Sequence, residues 1–224
     1  MKIEVLTLFP EMFSPLDCGI IGSAKEKGLF SLRITDIRDY TLDKHKHVDD
    51  APYGGGAGMV MSAQPIVSAV EAVDPNHECH RVYLSPRGRV FKQSVAREFY
   101  EKGNLLFLCG SYEGVDERAI QLCFDEELSI GDFVLTSGEL AAMTVINCTL
   151  RYVNGVLGCA DSLREESFSE GLLEYPQYTR PRVFRGLEVP EVLVCGDHKA
   201  VADWRREKSL ELTEERRRDL LERD

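Results

Sequence analysis

The chain has 224 residues, 43% of them hydrophobic and 29% charged, and a formal charge of −11. That length suits one large domain, or one domain with a small appendage, and the apolar share is enough for a proper core. The acidic balance excludes binding to nucleic acid through an overall basic field, while leaving room for local basic patches. In chain order, "IEVLTLF" (3–9) reads as a buried first strand stopped by Pro10, and "FSLRITDI" (30–37) alternates like a second. Residues 38–63 are rich in turn formers, centred on "DDAPYGGGAGMVM", and a helical pattern runs from about Gln64 to Val73. A strand at "RVYLSP" (81–86), a helix over 92–102, a strand at "NLLFLCG" (104–110), a helix near 115–121 and a strand at "EELSIGDFVL" (126–135) follow. Short, almost wholly apolar strands separated by helices predict an α/β fold, a mostly parallel sheet with helices on both faces. Residues 138–152, "GELAAMTVINCTLRY", form a helix apolar almost all round, which marks it as core or interface.

Composition shifts after Gly158. The expected division is a domain over 1–158, a polar linker over 159–178 and a small, mostly helical unit over 179–224. The last helix is expected to start at Thr213, an N-cap followed by Glu214 and Glu215. The cysteines (Cys18, Cys79, Cys109, Cys123, Cys148, Cys159 and Cys195) are scattered, odd in number and without a C-x-x-C pair. This suits reduced thiols in a cytoplasmic protein. The N-terminal apolar run is too short for a signal peptide, and no stretch approaches the roughly 20 apolar residues of a membrane span.

Three strands run into loops of special composition: "YLSPRG" (83–88), "CGSYEG" (109–114) and "SIGDFVLTSGE" (129–139). In open α/β sheets, ligands bind at the carboxyl ends of strands, and glycine there lets a ligand approach the main chain. Such loops can bind a nucleoside by its base edge. There is no P-loop and no strand-linked G-x-G-x-x-G. "YGGGAGM" (53–59) reads equally as a surface turn and as a mobile, substrate-facing loop. "HECH" (77–80) lacks a second cluster to complete a metal set and reads as a solvated loop, so no metal site is expected from it. Lys44–His47, Arg180, Arg182 and Arg185, and Arg205, Arg206 and Lys208 form the local basic clusters available to RNA.

The segments "LFPEMF", "VDDAPYGGGAGMVM", "YLSPRG", "CGSYEGVDER", "SIGDFVLTSGELAAMT", "GVLG", "ESFSEGLLEYPQYTRP" and "GLEVPEVLVCGDHKAVADWRREKSL" run in order to about Leu210. Together they resemble the bacterial tRNA (guanine-N1)-methyltransferase family. The resemblance implies a SPOUT-class fold with a deep trefoil knot, a feature against which the general rarity of knots weighs. It also implies a homodimer with the active site at the subunit interface. The implied reaction is methyl transfer from S-adenosylmethionine to N1 of the guanine just 3′ of the anticodon of tRNA. The cofactor pocket would take Tyr83, Leu84, Ser85 and Pro86 from the first loop, and Gly110, Tyr112 and Gly114 from the second. From the third it would take Ser129, Ile130, Gly131 and Asp132, then Phe133, Val134, Leu135 and Gly138.

Guanine N1 carries a proton at neutral pH, so a carboxylate has to accept it, and a cation should meet the charge that develops toward O6. By the family pattern Glu166 is the base, Arg151 the O6 partner, and Glu113 the group that orients the guanine or a magnesium ion. Two departures stand out: Glu166 and Glu174 occupy positions where the family pattern has Asp, and the segment after "WRREKSL" is shorter than usual. They keep two alternatives open: a knotted RNA-binding or cofactor-sensing protein with little or no turnover, and a SPOUT enzyme acting on another RNA.

Overall fold

The computed structural model describes residues 1–158 and 166–222, and the chain forms two compact units, Met1–Gly158 and Cys159–Asp224. The first part of the expected linker, with Cys159 and Glu165, lies outside the described residues.

The first unit is built on a five-stranded, wholly parallel sheet. Its strands are β1 (Lys2–Thr7), β2 (Ser31–Asp36), β5 (His80–Val90), β6 (Leu105–Cys109) and β7 (Glu126–Ser129), in the order β2-β1-β6-β5-β7. Two further short strands, β3 (Asp49–Asp50) and β4 (Val60–Met61), pair antiparallel outside it. Central β6, "LLFLC", is buried at every position because both faces of the sheet are covered. Its alternate residues serve different cores. Leu105, Phe107 and Cys109 pack with α1 (Gly19–Glu26), α3 (Gln93–Lys102) and α5 (Glu139–Leu150). Leu106 and Leu108 pack with α2 (Ala63–Val73) and α4 (Glu117–Cys123). α5 is rich in β-branched residues, each costing a few tenths of a kcal/mol in helix propensity. Burial of Val145, Ile146 and Leu150, worth about 1.5–3 kcal/mol each, outweighs that cost.

Four local differences from the sequence reading have clear causes. The strand expected over 126–135 ends at Ser129, because Gly131 (φ +149°) turns the chain out of the sheet. β5 runs beyond 86 to Val90: residues 85–88 bulge out, and Arg89 and Val90 rejoin β7. Gly88 makes this possible, since a Cβ there would stand 2.3 Å from the Glu127 carbonyl carbon. The segment after Pro10, for which no element was expected, forms a 3-10 turn (Pro10–Asp17) leading into α1. "HECH" is a solvated loop only in its first half: His77 and Glu78 are exposed, while Cys79 is buried and His80 opens β5.

In the second unit, β8 (Val183–Phe184) and β9 (Leu187–Glu188) form a hairpin turning at Arg185 and Gly186, both at positive φ. The last helix, α6, spans His198–Arg216. Its cap is Asp197, whose carboxylate accepts from the Lys199 and Ala200 amides. Thr213, expected to start that helix, lies inside it; its hydroxyl donates to the Ser209 carbonyl and accepts from the Leu173 amide. Among the described residues, no helix is long and apolar enough to cross a membrane.

Candidate active site

The loops leaving the carboxyl ends of β5, β6 and β7 enclose a cleft of about 380 Å³. Four glycines, Gly110, Gly114, Gly131 and Gly138, are among the residues that line it. Gly138 donates its amide to the Gly110 carbonyl at 2.9 Å, which ties the start of α5 to the end of β6. A Cβ at Gly138 would stand 2.8 Å from Cys109 Cα, and one at Gly110 would stand 3.0 Å from the Tyr83 ring. In the third loop the Ser129 hydroxyl donates to the Gly131 carbonyl at 3.0 Å and accepts from the Gly131 amide at 3.2 Å. The Phe133 ring folds back over Gly131, 2.6 Å from where a Cβ would sit. At the rim, Arg87 Nη2 lies 3.2 Å from Glu117 and 3.1 Å from Glu127, spanning from the first loop to α4 and β7. Burial, reinforced by Glu127, pushes the Tyr83 phenol up to about 12, so it stays a neutral hydrogen-bonding group at physiological pH.

Of the residues expected to hold a cofactor, Tyr83, Leu84, Ser85 and Pro86, then Gly110, Tyr112 and Gly114, all line this cleft. So do Ser129, Ile130, Gly131, Phe133, Val134, Leu135 and Gly138. Asp132 is the exception: the turn at Gly131 leaves it exposed, off the lining. Glu113 is in the cleft wall. Arg151, just past the last turn of α5, is not; it lines a separate hollow with Leu16, Cys18, Asn147 and Leu157.

In the second unit, Glu166 opens a tight turn, its carbonyl accepting from the Ser169 amide (3.2 Å) and hydroxyl (2.7 Å). Phe168 and Gly171 both take positive φ, which keeps this stretch out of a helix. The Glu174 amide donates to Ser167 Oγ, and its carboxylate accepts from Gln177.

Two histidines of "HECH" face carboxylates: His77 Nε2 lies 3.2 Å from Asp125 and His80 Nε2 2.5 Å from Glu126. The Cys79 thiol is pushed up to about 11 by burial, then by Asp74. Among the described residues, no group of three His, Cys, Asp or Glu is disposed to hold a metal.

A model of the family described as "tRNA (Guanine-1)-methyltransferase TrmD" matches residues 1–223. The chain belongs to this family. It is 57% identical over 222 residues to the tRNA (guanine-N(1)-)-methyltransferase of Carboxydothermus hydrogenoformans, covering 99% of this chain and 87% of that protein. It is 55% identical over 223 residues to the enzyme of that name from Clostridium beijerinckii, covering 100% of this chain and 93% of the other. Within the three loops, Arg87, Ser111, Thr136 and Ser137 also line the cleft although the sequence did not single them out, and Val115, Leu128 and Ala141 join them from outside. Ser111, one residue past the glycine that follows β6, is 7% exposed, and its hydroxyl is buried without a hydrogen-bond partner among the described residues. Arg87 was passed over inside "SPRG". A polar residue next to a strand-ending glycine was the available signal for Ser111. Nothing local marked Arg87.

Proposed function

We propose that this chain transfers a methyl group from S-adenosylmethionine to N1 of the guanine just 3′ of the anticodon of tRNA. The observation that carries the reading is the glycine-bearing cleft at the carboxyl ends of β5, β6 and β7, in a chain of this family. Its lining fits a nucleoside-bearing cofactor. Its glycines leave space beside the main chain, and the Ser111 hydroxyl, buried just past β6, has no hydrogen-bond partner among the described residues. When bound, S-adenosylmethionine supplies an electrophilic methyl group on a sulfonium. The chain's own residues then position and deprotonate.

Glu166 takes the proton from guanine N1, Arg151 faces the charge developing at O6, and Glu113 orients the base. Magnesium, as a further participant, would be held by Glu113 together with substrate and water oxygens, the manner usual for that ion. The enzyme acts as a homodimer: Arg151 lies off the cleft of its own chain, which supports a site completed across two subunits. The first unit is the SPOUT catalytic domain. Its trefoil knot is the one that membership of this family implies. The second unit carries the base at its start and a small tRNA-binding domain beyond, working in the cytoplasm.

The deciding experiment is methyl transfer from labelled S-adenosylmethionine to tRNA, run beside the same tRNA without guanine at the target position. Incorporation only into the first is expected. Equal incorporation into both would overturn the site, and none into either would overturn the activity.

A further inference from the structure

The glycines of "YGGGAGM" do not all serve the same purpose. Gly54, Gly55, Gly56 and Gly58 all have positive φ, the conformation that favours glycine. At Gly54 and Gly55 a Cβ would meet nothing within 4 Å, and at Gly56 only the Pro52 ring at 3.9 Å. These glycines make a turn and no more. Gly58 (φ +79°) is different: a Cβ there would stand 2.5 Å from Glu113 Cγ and Oε1 and 2.9 Å from Cδ.

The main chain holds both residues in that relation. Glu113 donates its amide to the Met59 carbonyl at 3.0 Å, and the Met61 amide donates to the Gly114 carbonyl at 2.9 Å. The Asp116 amide donates to the Met61 carbonyl at 2.9 Å, and Met61 and Val115 form a parallel bridge. Residues 59–61 thus run as a strand beside 113–116, with the Glu113 side chain lying across the bare Cα of Gly58.

We infer that Gly58 is a positioning residue for Glu113: the missing Cβ is the space in which the Glu113 side chain lies, and the glycine loop thereby sets where that carboxylate meets the substrate. The inference rests on the methyltransferase reading of Glu113. Any side chain at Gly58 forces the Glu113 side chain off its place, and the carboxylate with it. A displacement on the order of 1 Å in a group that orients the reacting base costs roughly 10²-fold in rate.

Gly55→Ala supplies the control, because Gly55 (φ +77°) has nearly the same φ as Gly58 and no described atom within 4 Å of its Cβ position. With the glutamate carboxyl carbons labelled, and the Glu113 signal assigned by its loss in Glu113→Gln, Gly58→Ala should move that signal and Gly55→Ala should leave it in place. Gly58→Ala should bind S-adenosylmethionine within a few-fold of the unsubstituted chain by calorimetry, yet methylate tRNA roughly 10²-fold more slowly in a single turnover. Its thermal midpoint should fall below that of Gly55→Ala. In a Glu113→Ala background, where the overlapping atoms are gone, the two glycine variants should unfold together. This last comparison also covers the case in which Gly58→Ala alone fails to fold. An unmoved Glu113 signal, or a Gly58→Ala defect that persists undiminished in the Glu113→Ala background, would overturn the inference. If the unsubstituted chain methylates no tRNA, the proposed activity falls instead, and the signal and unfolding comparisons still decide the role of Gly58.

Discussion

Gly131 and Glu166 stand for two kinds of residue, one that makes room and one proposed to react. Gly131 has φ +149° and the Phe133 ring against its Cα, so a side chain there is both strained and obstructed. Gly131→Val, and equally Gly110→Val against the Tyr83 ring, should abolish S-adenosylmethionine binding by calorimetry while circular dichroism stays native. Normal binding by both would remove the cleft as the cofactor site. Glu166→Gln should keep cofactor binding and lower single-turnover methylation by roughly 10²-fold or more, the usual scale for a lost general base. A base works only when deprotonated, so the rate of the unsubstituted enzyme should fall toward low pH, and Glu166→Gln should lose that acidic limb. Normal methylation by this variant would move the base elsewhere. The glycine-bearing loops could be read from sequence because they interrupt apolar strands at their ends. The contact of Gly58 with Glu113 could not. It joins distant segments through an atom that is not there, and neither composition nor periodicity registers a missing Cβ.

At the scale of elements, the buried pair Asp74–Arg81 joins the end of α2 to the start of β5. Arg81 Nε donates to Asp74 Oδ2 at 2.7 Å and Nη2 to the Asp74 carbonyl at 2.6 Å, while Asp74 Oδ1 accepts from the Glu78 amide at 2.8 Å. Burial alone would raise the Asp74 carboxyl; the Arg81 guanidinium and the Glu78 amide outweigh it and hold the group below its ordinary range. A depressed folded pKa means that this contribution is fully present above the unfolded value, roughly pH 4, and is lost as pH falls through the folded value. Asp74→Asn should cost about 3–5 kcal/mol in urea unfolding near neutral pH, by leaving the Arg81 charge buried. It should also flatten the decline of stability below about pH 4. An unchanged midpoint and acid profile would mean the pair is not coupled to folding.

Elements of this kind differ in how readable they were. β6 could be read because burial on both faces makes an unbroken apolar run. The end of β7 could not, since Ile130–Leu135 is as apolar as a strand and only the turn at Gly131 takes it into the cleft wall. The helical stretch after Pro10 was hidden by its own prolines, Pro10 and Pro15, which read as breaks but sit in a 3-10 turn.

For the whole molecule, the separation of Arg151 from the cleft is the fact that the proposed assembly explains. Mixing Gly131→Val chains, expected to lack cofactor, with Glu166→Ala chains, expected to lack the base, should restore part of the activity once subunits exchange. No recovery in verified mixed dimers would place each site within one chain. The cleft carries a consequence of a different sort. Where recognition is by amides and carbonyls, exchanging one side chain for another leaves the partner groups standing. An inhibitor that takes its hydrogen bonds from the backbone of these three loops would therefore offer few single substitutions by which a resistant variant could delete a contact. The substitutions that do reach it, at Gly110, Gly131 or Gly138, close the proposed cofactor space as well. Resistance at this cleft is thus drawn toward changes of loop length or of expression level, and away from the point mutations that commonly defeat inhibitors held by side chains.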